Sequence, residues 1–376
     1  MKHKFDFVNS SLRKIRASNL YRKLQDSRVQ GPYIILERKK LINLCSNDYL
    51  GLTTNQIIKK QLQSSSRLIA GNDFSFNVLE ERLADHKSQE SALIFPTGYM
   101  ANLGAIATLA HRGDLILSDE LNHASIIEAC KLSGANVAVY KHNNTEDLQT
   151  KLKQKANRKF IVTEGIFSVD GDFACLDQIS KIASETNTIL ILDDAHGDFV
   201  VGPDGIGSAK HFGVEKKIDV YVSSLSKALG AFGGYVASNK SIIDLTINTS
   251  KSFIYTSALP RFLVEFELRR FESDREKRRK KLWKNIQMLQ KGLKSIGYQI
   301  NSATQIIPII IGSEKNALEF GRYLFESGVF AQPIRYPTVA TGKARIRISV
   351  TAWLSKDHID KSIDAFESAG KKFHIL

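Results

Sequence analysis

Between Ser91 and Val236, short β-branched apolar runs alternate with stretches of helical spacing, and this alternation limits the fold more than anything else in the chain. The runs are SALIFPTG, DLILSD, NVAVYK, KFIVTEG, TILILDDAH, DVYVSSLSK and GGYVAS, with helical segments such as MANLGAIATLA and DLQTKLKQKA between them. Strands that are apolar throughout are buried on both faces. The pattern therefore predicts an α/β domain built on a mostly parallel sheet covered by helices. A long charged amphipathic stretch from Leu259 to Ile296 reads as a helix leaving that domain. After it, GYQIN, TQIIPIIIG, an ALEFGRYLFESG helix, VFAQPIRYP, ARIRISV and a last helix from Ser355 predict a smaller C-terminal α/β domain. The expected division is an N-terminal segment 1–45 packing with the small domain, a large domain 46–258 and a small domain 259–376.

A formal charge of +14 favours anionic partners: phosphorylated cofactors, coenzyme A, acidic carrier proteins or nucleic acid. Much of it lies between Arg269 and Lys284, a run without the aromatic interleaving that stacks bases, so it reads as a solvated helix face. A basic nucleic-acid-binding protein on an enzyme-like fold is the alternative from another class; the expectation is no nucleic acid and no membrane. Cys45, Cys130 and Cys175 are widely separated, with no metal-ligand spacing, and read as reduced thiols. The basic N-terminus has no apolar core of the kind a secretion signal carries, which places the protein in the cytoplasm.

In open α/β sheets ligands bind beyond the carboxyl ends of the strands. TILILDDAH puts Asp193 at such an end, with His196 in the loop that follows. A carboxylate buried there either meets a cation, such as a protonated pyridinium, or caps the next turn. VSSLSKALGAFGGY places Lys227 after a strand and a Ser-rich turn, where an amine can form an imine with an aldehyde. A lysine Schiff base and an acidic partner for the ring nitrogen are the two contacts that pyridoxal 5′-phosphate (PLP) requires of its protein. For the phosphate, the turn Thr97-Gly98-Tyr99 opens a helix, Thr256 and Ser257 offer hydroxyls, and Ser224 is near Lys227. His123, in DELNHASII, either stacks on the ring or caps a helix. Ser168, in TEGIFSVDGD, is placed to donate to the phenolic oxygen. Arg345 and Arg347 share one face of a strand and suit a substrate carboxylate, or simply an exposed face.

In their order, NDYLGL (Asn47 to Leu52), SRLIAGN (Ser66 to Asn72), TGYMANL, NHASI, TEGIFSVDGD, DDAHG, SLSKALG and PTVATGKARIRIS resemble the α-oxoamine synthases, from about residue 40 to the end. The resemblance implies a PLP-dependent acyltransferase of the aminotransferase-like fold type I, a homodimer with its sites at the subunit interface. It also implies that Lys227 is the Schiff-base lysine and that Asp193 pairs with the pyridine nitrogen. His196 and Ser168 then lie near the phenolic oxygen, and His123 stacks on the ring. Gly98 and Tyr99 lie beside the phosphate, with Thr256 or Ser257 reaching the neighbouring subunit's phosphate. Arg347 takes the substrate carboxylate, Asn47 lines the pocket, and Arg22, in NLYRKL, corresponds to a substrate-contacting arginine. Within the family, the short chain and the SRLIAGN segment point to the decarboxylative condensation of L-alanine with pimeloyl-CoA or a pimeloyl carrier protein in biotin biosynthesis. Glycine with acetyl-CoA is the alternative pair. Three departures bear on the acyl pocket: Phe76 replaces a frequent His, a glycine-rich stretch before Ser66 is shortened, and Ser224 stands where Thr is frequent while PTVATG lacks a second proline.

Overall fold

The computed structural model describes residues 13–14, 16–19, 27–52 and 65–376. Two compact units divide the chain: residues 47–168 with 172–281, and residues 1–46 with 169–171 and 282–376. In the second unit, β1 (Ser27–Gln30), β2 (Tyr33–Leu36) and β3 (Lys39–Asn43) form an antiparallel meander.

The first unit carries β4 (Ser91–Phe95), β5 (Leu115–Asp119), β6 (Asn136–Tyr140), β7 (Lys159–Glu164), β8 (Ile189–Asp193), β9 (Val220–Ser224) and β10 (Gly234–Ser238). They form one seven-stranded sheet in the order β4-β10-β9-β8-β7-β5-β6, in which β10 alone runs antiparallel to its neighbours. Each of the seven apolar runs supplies one strand. Every residue of β5, β9 and β10 is buried, as two covered faces require. Leu93, Phe95, Ile116, Phe160, Ile191, Val222 and Val236 belong to one continuous core. From β5 the chain steps outward to β6, then returns across the sheet to β7, β8 and β9. The reversal falls between β5 and β7, the kind of place where open α/β sheets bind ligands beyond the carboxyl ends of their strands.

Local chemistry sets the helix starts. Thr97 accepts the Met100 N–H at 3.1 Å and caps the helix Gly98–Leu109. Asn144 and Asn239 do the same for Thr145–Leu152 and Lys240–Thr249. The helix expected over 259–296 is in fact two, Arg261–Phe271 and Arg275–Ser295. Asp274 accepts the Lys277 N–H at 3.2 Å, so this polar residue competes with the backbone and restarts the helix. Nor is the basic run wholly a solvated face. Arg278 donates to the Gly51 carbonyl at 2.6 Å, Arg279 donates to the Gly202 carbonyl at 2.9 Å, and Arg275 lies over the rings of Phe199 and Phe271.

In the second unit, β11 (Ile306–Gly312) and β13 (Gln332–Ile334) flank β14 (Ala344–Ser349), all antiparallel, while β12 (Val329–Phe330) joins β3 in parallel. GYQIN forms no strand; its Tyr298 is anchored instead through a hydroxyl donated to the Phe366 carbonyl at 2.7 Å. Among the described residues no helix is long and apolar enough to cross a membrane.

Candidate functional site

Asp193 ends β8 and is 7% exposed. Its Oδ1 accepts the Ala195 N–H at 3.0 Å and its Oδ2 accepts from Asn102 Nδ2 at 2.7 Å. Two neutral donors orient the carboxylate and leave its charge uncompensated by them, an environment suited to a cationic ring edge. The Asn102 amide also donates to Ser125 Oγ at 2.9 Å, and Ser125 Oγ lies 2.7 Å from His123 Nδ1. Since the Ser125 N–H points at the same nitrogen at 3.2 Å, Nδ1 is an acceptor and the neutral ring carries its proton on Nε2. His123 thus caps the helix Ala124–Ser133, as one of its two sequence readings has it. Loss of hydration around the ring pushes its pKa down; the Asp193 carboxylate opposes this and the Lys227 ammonium adds to it.

Glu164 ends β7 beside these groups. Burial first, then the Asp193 carboxylate, push its pKa up to about 8, against the Lys227 ammonium and the N–H groups of His123 and Ser168. Near neutral pH Glu164 therefore keeps its proton. The charges of Asp193 and Lys227 both act on His123 and on Glu164, so the four residues lie within electrostatic reach of one another. His196 Nδ1 lies 2.7 Å from the Tyr49 hydroxyl, which donates to Asn47 Oδ1 at 3.0 Å.

The turn expected to take a phosphate is built by close approach. A Cβ on Gly98 would sit 3.1 Å from the Ser224 Cβ, so the start of the helix Gly98–Leu109 and the end of β9 are already in contact. Glycine at the first position keeps a side chain from crowding the N-terminus of that helix, the end that favours an anion. Ser224 Oγ is 2.9 Å from Ser226 Oγ, and the Tyr99 ring meets His123 edge-on at 6.5 Å. A buried acid, an amine, a flat imidazole and a helix N-terminus match the ring nitrogen, aldehyde, ring face and phosphate of PLP, so the residues fit that cofactor. Thr256 and Ser257 line a small void with Arg67 and Phe76. Phe76 is fully buried beneath the Arg67 guanidinium, 4.3 Å from its ring centre, which explains an aromatic at the position of the frequent His. Arg345 and Arg347 lie on β14 of the second unit. Arg345 is paired with Asp170, whereas Arg347 donates to Ser349 Oγ at 3.0 Å. Arg22 lies outside the described residues.

The profile of the class I and II aminotransferases matches residues 39–366. The chain belongs to that family. Within the family its full-length relatives include 8-amino-7-oxononanoate synthases. That of Thermoanaerobacter pseudethanolicus is 41% identical over 100% of this chain and 99% of the relative. That of Treponema denticola is 37% identical over 100% and 99%. Among solved structures, SPT with a PLP internal aldimine superposes with a TM-score of 0.92 at 26% identity, covering 99% of both chains. The 8-amino-7-oxononanoate synthase of Francisella tularensis gives 0.76 at 28% identity, covering 89% of this chain and 99% of that one. The chain is accordingly a fold-type-I, PLP-dependent acyltransferase of the α-oxoamine synthase group.

Sequence reasoning missed Asn102, Ser125, Glu164 and Tyr49. Glu164 carried a signal, since it ends an apolar run just as Asp193 does. Asn102, inside an alanine-rich helix, carried none.

Proposed function

We propose that this enzyme condenses L-alanine with a pimeloyl thioester, from CoA or a carrier protein, to give 8-amino-7-oxononanoate, the free thiol and CO2, acting as a homodimer in the cytoplasm. The observation that carries this reading is end-to-end identity of 41% with an 8-amino-7-oxononanoate synthase, joined to the electrostatic grouping of Asp193, Lys227, His123 and Glu164. When bound, PLP supplies an electron sink for the charge left on the α-carbon of the amino acid.

The chain's own residues divide the remaining work. Asp193, oriented by Asn102 and the Ala195 N–H, holds a proton on the ring nitrogen. With PLP bound, Lys227 Nζ would hold the cofactor at its aldehyde and would serve as the base for the α-proton of the amino acid. His123 packs on the ring face, and His196 and Ser168 serve the phenolic oxygen. Gly98, Tyr99 and Ser224 bind the phosphate from one subunit, with Thr256 and Ser257 from the other. Arg347 grips the substrate carboxylate, Arg345 being committed to Asp170. Asn47 lines the amino-acid pocket and Arg22 reaches the substrate from the N-terminal segment.

Three side chains close to Thr256 and Ser257 support the dimer: Ile69 is 84% exposed, Phe74 77% and Tyr255 81%. Their segments are tied by the Ala258 N–H to the Ser65 carbonyl at 2.9 Å and by Arg261 to Asp73. Large apolar groups clustered at a surface mark an interface. Thiol release measured over a panel of amino acids and acyl thioesters tests the reaction; turnover with glycine and acetyl-CoA in preference to alanine and a pimeloyl thioester refutes it. Light scattering that gives a monomer refutes the assembly.

A further inference from the structure

Behind the turn that carries Asp193 and His196 lies a charged cluster that the reaction itself does not use. Lys87, the last residue of the helix Phe74–Lys87, is 1% exposed. Its Nζ meets Asp194 Oδ2 at 3.0 Å and Asp198 Oδ1 at 2.8 Å, and donates to the Ile206 carbonyl at 2.6 Å. Both acids are enclosed as well. Asp194 also accepts the Ser208 N–H at 3.1 Å. Asp198 also meets His86 Nε2 at 2.8 Å and accepts hydroxyls from Ser223 at 2.8 Å and Tyr235 at 2.5 Å.

The spacing matters. The Asp198 N–H donates to the Asp194 carbonyl at 2.8 Å, so the backbone makes one turn between the two acids. Asp194 and Asp198 meet at Lys87, while Asp193, by its bonds to Asn102 and Ala195, and His196, by its contact with Tyr49, are engaged elsewhere. Three glycines close the space around Asp194. A Cβ on Gly165, Gly197 or Gly207 would come within 2.6, 2.2 or 1.9 Å of its carboxylate oxygens. The three backbones therefore pack closely against that carboxylate and leave no room for a side chain beside it.

We propose that Lys87 is a positioning residue of the cofactor site: its ammonium pins Asp194 and Asp198, the two ends of the turn that follows Asp193, and thereby fixes Asp193 and His196 relative to the ring they serve. The inference rests on the PLP reading above. A buried ion cluster is poor evidence of stabilisation, because apolar replacements of similar volume are often neutral. Fixed geometry is the property that such a cluster supplies and a methyl group does not.

The test uses full-length apoprotein, Lys87→Met, and Lys87→Met/Asp194→Asn, which restores the cluster's net charge after the ammonium is lost. Four quantities are read: melting temperature, PLP affinity by absorbance titration, the pH midpoint of the bound cofactor's long-wavelength band, and kcat against KM for alanine. The expected result is a double variant that melts near the wild type, yet binds PLP about tenfold more weakly, with a displaced band midpoint. Its kcat falls about a hundredfold at nearly unchanged KM, the scale of a misplacement near 1 Å. A double variant that regains wild-type PLP affinity, band midpoint and kcat overturns the inference, leaving Lys87 a purely stabilising role. Borohydride reduction followed by peptide mass analysis separates the two levels: wild type that fixes no PLP on Lys227 overturns the cofactor reading, and this inference with it.

Discussion

His142 bridges two carboxylates, with Nδ1 2.9 Å from Asp119 Oδ1 at the end of β5 and Nε2 2.8 Å from Asp172 Oδ2 in the loop after Ser168. Burial pushes its pKa down, but the hydrogen bonds and charges of Asp119 and Asp172 prevail and raise it to about 10. The folded protein therefore holds a proton that the unfolded chain releases near pH 6.5. The stabilisation is complete below pH 6.5 and disappears as pH rises through about 10. Each tenfold change in proton affinity is worth about 1.4 kcal/mol, so the whole rise from 6.5 to about 10 has a ceiling of about 5 kcal/mol. Solvent reaches the bridge, with side-chain exposures of 20% for His142 and 36% for Asp172, and screening reduces that figure to about 2 kcal/mol.

His142→Gln keeps the size and one donor but not the charge. Urea unfolding followed by intrinsic fluorescence should show the variant about 2 kcal/mol less stable at pH 6, with the gap closing to a few tenths near pH 10.5. A gap that stays constant across that range refutes the reasoning. So does a 13C-labelled histidine resonance for His142 that titrates at the ordinary value.

Lys227→Ala should abolish covalent PLP attachment and nearly all turnover; a variant that retains both removes the amine from its assigned place. Glu164→Gln mimics the protonated acid. Because the native carboxyl keeps its proton to about pH 8 while the unfolded one ionises near 4.5, stability falls as pH rises between those values in the wild type, and the variant should lose that slope in pH-dependent melts. Arg347→Ala should raise the KM for alanine at least about tenfold, as loss of a charge-assisted hydrogen-bond partner does. Equal KM values in variant and wild type would exclude it from the carboxylate site.

The seven strands of the main sheet were legible because buried parallel strands leave uninterrupted apolar runs, and Asp193 stood out as a charge at the end of one. Lys227 stood out for its company, a Ser-rich turn before it and small residues after. Lys87 was not legible. A lysine closing a helix in LADHKSQE has every local mark of an exposed cation favouring the helix C-terminus, and only the return of the chain through Asp194 and Asp198 buries it. Tyr49 was hidden similarly, its partner His196 lying on a distant strand end. The division of the long helix at Asp274 escaped because amphipathic spacing continues across the break, and periodicity alone does not register a single capping residue.

The hydrogen-bonded series from His123 through Ser125 and Asn102 to Asp193 has a consequence for anyone remodelling this enzyme. Whatever turns the imidazole also tugs, two side chains away, on the Asp193 carboxylate proposed to face the ring nitrogen. Replacing the imidazole with a different shape will therefore disturb that carboxylate even when the new side chain never touches it, and the four positions are best varied as a set.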